Sequence, residues 1–233
     1  MNTIQKNLWW TMVWVGMFAL AMGYMESAVV VYLRTIYYPG GFTFPLKPLS
    51  HGIGITELVR EAATMVMLAG IGWIAASRFI IRFALFIYAF AIWDLCYYLF
   101  LYLLIGWPST LLEWDILFLI PVAWTGPVIA PVINSITMIL LAFAIVFAEH
   151  RGSDPKLTVY EWMLMLPGSI ITIGAYAFDY AQYTIRSSAS SPNGIPGSDY
   201  IPQHFNWWLF ALGEILFIAV LFIYWRRMTS NKG

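Results

Sequence analysis

Five carboxylates, Glu26, Glu61, Asp94, Asp179 and Glu214, lie within long apolar stretches of the chain. A carboxylate held in hydrocarbon is costly unless it is protonated, hydrogen-bonded or paired with a base. Five such groups therefore point to binding a cation, taking up and releasing a proton, or holding the polar part of a solute. The bases near enough to serve them are Arg34, Arg60 and Arg186. Acids outnumber these partners, so at least two carboxyls must be neutral or must meet a cation or water.

Local spacing sorts the charges further. Glu57, Arg60 and Glu61 stand at i, i+3 and i+4 and share one helical face, with Thr56 as a possible N-cap. That arrangement makes either a local ion cluster or one wall of a binding site. Glu26 and Arg34 share a face but lie about 12 Å apart along a helix axis, so each is expected to reach a neighbouring helix. Asp94 is followed one turn later by Tyr97 and Tyr98, which offers a buried Asp–Tyr hydrogen bond. Asn134, Ser135 and Thr137 read as hydrogen-bonding glue between helices.

Other chemistries are poorly served. The chain has three histidines, His51, His150 and His204, all outside the apolar stretches, so a haem held by two intramembrane histidines lacks its ligands. His51 and His204 are the only candidates for joining carboxylates around a metal. Neither stands in an HxxxH or ExxH arrangement, and no metal or other cofactor is predicted. The one cysteine, Cys96, excludes an internal disulfide and a CxxC motif. No GxSxG, P-loop, HExxH or dinucleotide fingerprint is present, so a non-enzymatic role is favoured. Lys and Arg number 12 against 12 Asp and Glu, without basic clusters, which argues against nucleic acid as a partner.

The elements that position these residues follow from hydrophobicity. Of the 233 residues, 61% are hydrophobic and 10% charged, so the bilayer is the expected solvent and partner. The chain reads as a single all-α polytopic transmembrane domain over 1–233, with spans at about 8–33, 58–77, 80–105, 126–148, 160–183 and 207–225. Each reaches or approaches the roughly 20 residues that cross a hydrocarbon core. Tryptophans such as Trp9, Trp10, Trp107, Trp124, Trp207 and Trp225 bracket the spans as aromatic belts. Asp94 is the deepest acid, roughly 16 Å below the Ile105 end of its span, and Glu214 lies about 10 Å down its own.

Charge bias predicts that both termini are cytoplasmic. Lys6, Arg78, Arg82, Arg151, Lys156, Arg226, Arg227 and Lys232 then lie inside, against Arg34, Lys47, Arg60 and Arg186 outside. With this threading Glu26, Glu57, Glu61, Asp94, Glu113, Asp115, Asp179, Asp199 and Glu214 fall in the outer half. Hydrophobicity running on through Val29–Val31 makes the first stretch an uncleaved span rather than a signal peptide. The segment 111–124 is apolar but short, with Pro121, Pro127 and Pro131 close by. It reads as a re-entrant or interfacial half-helix, or less simply as a seventh span. The long outer connections, 34–57 and 184–206, and the aromatic helix faces are expected surfaces for membrane-protein partners.

Three functions fit these residues. The first is an acid-rich, outward-facing intramembrane cavity that binds or transports a cation, proton or small solute. The second is a non-catalytic membrane subunit of a larger complex, for example a respiratory one. The third is an enzyme directed at a lipid or quinone in the outer leaflet, with Arg34 or Arg60 holding an anionic headgroup. The lack of a transit-peptide pattern and the single cysteine place the expected location in a bacterial inner (plasma) membrane.

Overall fold

Each apolar run folds as a helix, because a single segment in lipid can satisfy its backbone N–H and C=O groups only within itself. In the computed structural model, which describes residues 3–45, 47, 50–120, 122–190 and 200–230, these helices are α1 (Thr3–Tyr37), α2 (His51–Ala75), α3 (Phe79–Ile105), α4 (Ile129–His150), α5 (Val159–Ser190) and α6 (Trp207–Ser230). All six are long and apolar enough to cross a membrane, and the chain is an all-α polytopic membrane protein. We call the end where α1 begins and α6 finishes the terminal end.

Helix α3 is the centre of the packing. It contacts α1, α2 and α4, while α5 pairs with α6 and α4 also touches α6. Without a hydrophobic drive between helices in lipid, close approach depends on small residues, and α1 supplies Ala19, Gly23 and Ser27 at intervals of four. A Cβ on Gly23 would lie 2.8 Å from the Cys96 Cβ and 2.9 Å from the Trp93 carbonyl oxygen, so only glycine fits. Ser27 donates across the same contact to the Tyr97 carbonyl (2.9 Å). The interior between these helices is filled by Ala84, Leu85, Ala89, Ile145 and Val220.

Polar groups fasten the terminal end. Thr158 and Glu161 form a capping box at the start of α5: the Thr158 N–H donates to Glu161 Oε2 (2.6 Å) and the Glu161 N–H to Thr158 Oγ1 (3.3 Å). Glu161 also receives Arg227 of α6 (3.0 Å). Arg78, between α2 and α3, pairs with Glu149 and with Asp154 (3.2 Å), tying α3 to the turn after α4.

The opposite end departs from expectation in two respects. The predicted half-helix at 111–124 does not form. Instead β1 (Trp114–Phe118) pairs antiparallel with β2 (Trp124–Pro127), with Trp114 opposite Pro127, Asp115 opposite Gly126 and a register shift between Ile116 and Phe118. Two strands bonding each other satisfy the backbone without demanding that Pro127 donate an N–H, which a helix would. Such non-helical backbone is tolerated at membrane depth only where protein buries it, and Asp115 and Thr125 are 3% and 1% exposed. Gly126 permits the burial, since a Cβ there would come within 3.0 Å of Phe205 and 3.2 Å of Tyr176. Span four accordingly begins at Ile129 and not at 126. Pro121 lies outside the described residues.

The second departure concerns helix length. Helix α1 runs on to Tyr37 and α2 starts at His51, so the first long connection is 38–50 rather than 34–57. Thr56 is therefore not an N-cap. It sits within α2 and bonds back to the Gly52 carbonyl (2.9 Å), while Ser50 occupies the cap position without a side-chain bond. The helix runs through Gly52 and Gly54 despite a cost of about 1 kcal/mol per glycine, and a Cβ at either position would meet nothing within 4 Å. Helix α5 likewise extends to Ser190, and residues 191–199 of the second long connection lie outside the described residues.

Candidate functional site

The hairpin divides the acids. Strand β1 directs Asp115 and Ile116, with Leu119 just beyond it, toward a cavity of about 190 Å³ beside α1 and α2. Leu117 and Phe118 face a second cavity of about 340 Å³ among α3, α4, α5 and α6. The single acid-rich cavity expected from the sequence is thus two spaces with a protein wall between them.

The first space is lined by Arg34, Tyr38, Glu57, Arg60, Glu61 and Asp115 among others. Arg60 pairs with Glu26 of α1 and, through the i, i+3 contact on its own helix, with Glu57 (2.8 Å). Arg34 reaches away from Glu26 to Asp115 of the hairpin (3.2 Å), and its guanidinium packs over Trp107 at 3.8 Å and Phe42 at 4.4 Å. Glu26 reaches a neighbouring helix as expected, whereas Arg34 finds its partner on the hairpin and not on a helix. Burial pushes the Asp115 carboxyl above its ordinary value, while the Arg34 charge and the Tyr97 hydroxyl, which donates to it at 3.3 Å, pull the other way. Among the described residues no base forms an ion pair with Glu61; it accepts the Leu119 N–H at 2.9 Å and so pins the hairpin to α2.

The second space holds the two deepest acids or their partners. Asp94 lines it and accepts from Ser135 Oγ of α4 at 2.8 Å. The predicted bond from Tyr97 or Tyr98 to Asp94 is not made; the hairpin gives Tyr97 the Asp115 carboxylate as an acceptor. Glu214 of α6 accepts from Asn134 Nδ2 and from Thr137 Oγ1 (2.9 Å), both of α4. The Asn134 carbonyl oxygen in turn accepts from the Tyr176 hydroxyl of α5 (2.5 Å). Asn134, Ser135 and Thr137 are the interhelical donors the sequence suggested, and what they join is now specific: neighbouring residues of α4 serve Glu214 on one side and Asp94 on the other. Among the described residues, no base pairs with Glu61, Asp94 or Glu214.

The remaining candidates are apart from both spaces. Asp179 accepts from the Tyr200 hydroxyl (2.7 Å) and the Gln203 N–H (3.2 Å), and Tyr200 also meets Thr125 of the hairpin at 2.8 Å. This chain fixes the segment before α6 onto β2, and burial pushes the Tyr200 hydroxyl pKa up. His204 is exposed nearby and His51 is exposed at the first turn of α2. Among the described residues no group of three or more His, Cys, Asp or Glu side chains is placed to hold a metal ion.

Two participants escaped the sequence reading. Asp115 belongs to the second of two Trp-Asp pairs, at 93–94 and 114–115, and stands on a strand where the sequence suggests a half-helix. Tyr176 stands mid-span in α5, where a hydroxyl in hydrocarbon requires a partner, and that requirement was its signal. Comparison with family models, curated proteins and solved structures finds no match to this chain.

Proposed function

We propose that the protein binds a small solute in the cavity among α3, α4, α5 and α6 and moves it together with a proton or cation, acting as a coupled carrier. The observation that carries this reading is the pairing of Asp94 and Glu214 with neutral donors alone: Ser135 for one, Asn134 and Thr137 for the other. A structural ion pair would bring its own base, as Arg34 and Arg60 do. A carboxyl that changes charge with occupancy needs partners that serve both its states, and hydroxyls and amides do so. The charge bias supports a topology with both termini in the cytoplasm and the hairpin end outward, where β1 stands between the charged outer cavity and the inner one.

The test is proton uptake into proteoliposomes under an imposed membrane potential. Asp94→Asn keeps an oxygen that can accept from Ser135 and removes the titration. Wild-type protein is expected to take up protons and Asp94→Asn to lose that uptake, with unchanged elution and melting behaviour. Wild-type uptake by the variant would overturn the reading.

A further inference from the structure

The inner cavity has an open side. Its walls come from α3 and α5, yet these helices are not packed on each other along their length. At the terminal end Phe79 and Phe83 meet Trp162, with ring centroids 6.4 and 5.2 Å apart. At the other end the hairpin closes the gap, Phe118 lying parallel to Phe90 and Trp124 parallel to Tyr176, each at 6.2 Å. Between these closures the wall residues Leu166 and Ile173 are 56% and 39% exposed, so the space runs out to the lipid-facing surface of the bundle. It is a lateral groove with aromatic stops at both ends.

The groove is also amphipathic along its length. Polar side chains cluster at the level of Asp94, Asn134, Ser135 and Thr137, beneath the hairpin. From there toward Trp162 the lining is mostly apolar, with Phe86, Met138, Leu141, Met165 and Val220, and the hydroxyls of Thr172 and Ser169 on α5 are the exceptions. Asp94 and Phe83 are eleven residues apart, about 16 Å along α3, so the apolar part suits a chain rather than a compact solute. The polar level has a carboxyl and neutral hydrogen-bonding groups but no Lys or Arg, which disfavours a phosphate or carboxylate head. The aromatic lining at the top, from Phe90, Phe118, Trp124 and Tyr176, favours a flat head that can lie against ring faces or edges. A cavity of this volume, mostly apolar with a few convergent polar groups, is the usual form of a small-molecule site.

We infer that the groove between α3 and α5 binds a neutral quinone- or quinol-class lipid, which enters sideways from the bilayer with its ring at the Asp94–Ser135 level and its tail toward Trp162. The inference rests on the groove being the solute site proposed above and names the class of solute. Asp94 and the Ser135 oxygen can accept from quinol hydroxyls, the second Asn134 Nδ2 hydrogen can donate to a quinone oxygen, and the walls of α3 and α5 cover the first part of the tail.

The test uses the full-length protein in mild detergent with decylubiquinone as the probe, measured as ligand retained through gel filtration. Wild-type protein is expected to retain it saturably at about one per chain. Ile173→Trp and Leu166→Trp place bulk at the open lip, where the parent side chains are already exposed, and are expected to weaken retention by roughly tenfold each, about 1.4 kcal/mol. Absence of saturable retention by wild type, equal retention by all three proteins, or displacement by an equal concentration of phosphatidylglycerol would overturn the inference. If decylubiquinone fails to bind while Asp94→Asn still abolishes proton uptake, the carrier reading stands and this assignment falls. If binding is blocked at the lip while Asp94→Asn leaves uptake unchanged, the site stands and the proton coupling falls.

Discussion

Arg34 and Asp115 illustrate how a buried pair can be indispensable without being a net stabiliser. Both are nearly inaccessible, and taking two charges out of water costs several kcal/mol per ion, which one contact at 3.2 Å need not repay. Asp115→Ala leaves a buried guanidinium without its counter-ion and is expected to cost about 3–5 kcal/mol. Replacing both, as Arg34→Met with Asp115→Leu, is expected to return most or all of that loss. Thermal melts of the two single variants and the double variant in one detergent check this; additive losses would show that the pair is not coupled. At this scale the sequence was only partly legible. It singled out Asp94 and Glu214 by their depth, and Asn134, Ser135 and Thr137 as donors. It could not say that residue 135 faces residue 94 or that residue 134 faces residue 214, because those pairings depend on how three helices pack around α4.

Among the elements, α1 and α3 depend on a contact that one methyl group can spoil. Gly23→Ala puts a Cβ against the Cys96 Cβ and the Trp93 carbonyl, neither of which can swing away. The expected outcome is a loss of about 1–3 kcal/mol, the usual cost of overpacking, seen as a lower melting temperature. The same change at Gly54, where a Cβ meets nothing within 4 Å, is expected to be neutral or slightly stabilising by helix propensity. The six helices were readable because a run of about twenty apolar residues has one fold open to it in lipid. The hairpin was not. Residues 111–124 are too short to span, and a short apolar run between prolines is compatible with helix or strand on local grounds. What selects the strand is burial under Phe205 and Tyr176, residues more than fifty positions further on. Helices α1, α2 and α5 extend several residues beyond the apolar runs, because hydropathy marks the apolar stretch and not the point where helical backbone bonding stops.

For the molecule as a whole, the six-helix bundle, the wall made by the hairpin and the lateral groove all lie within one chain, and the carrier reading proposed above expects them to work without a partner. Purification at native expression level in the mildest workable detergent is expected to give a protein without stoichiometric partners that retains a bound lipophilic molecule, detectable by mass spectrometry of the eluate. Partner proteins in fixed ratio would instead support the reading of a subunit in a larger membrane assembly, with the outer connections as its docking surfaces.

The opening between α3 and α5 has a consequence for any affinity measurement. A ligand that arrives through the side of the bundle is dissolved in the bilayer, so its effective concentration is its mole fraction among lipids. Adding empty vesicles at constant total ligand should therefore weaken apparent binding in proportion to the lipid added. Expressed per mole of lipid, the same titrations should superimpose on a single curve.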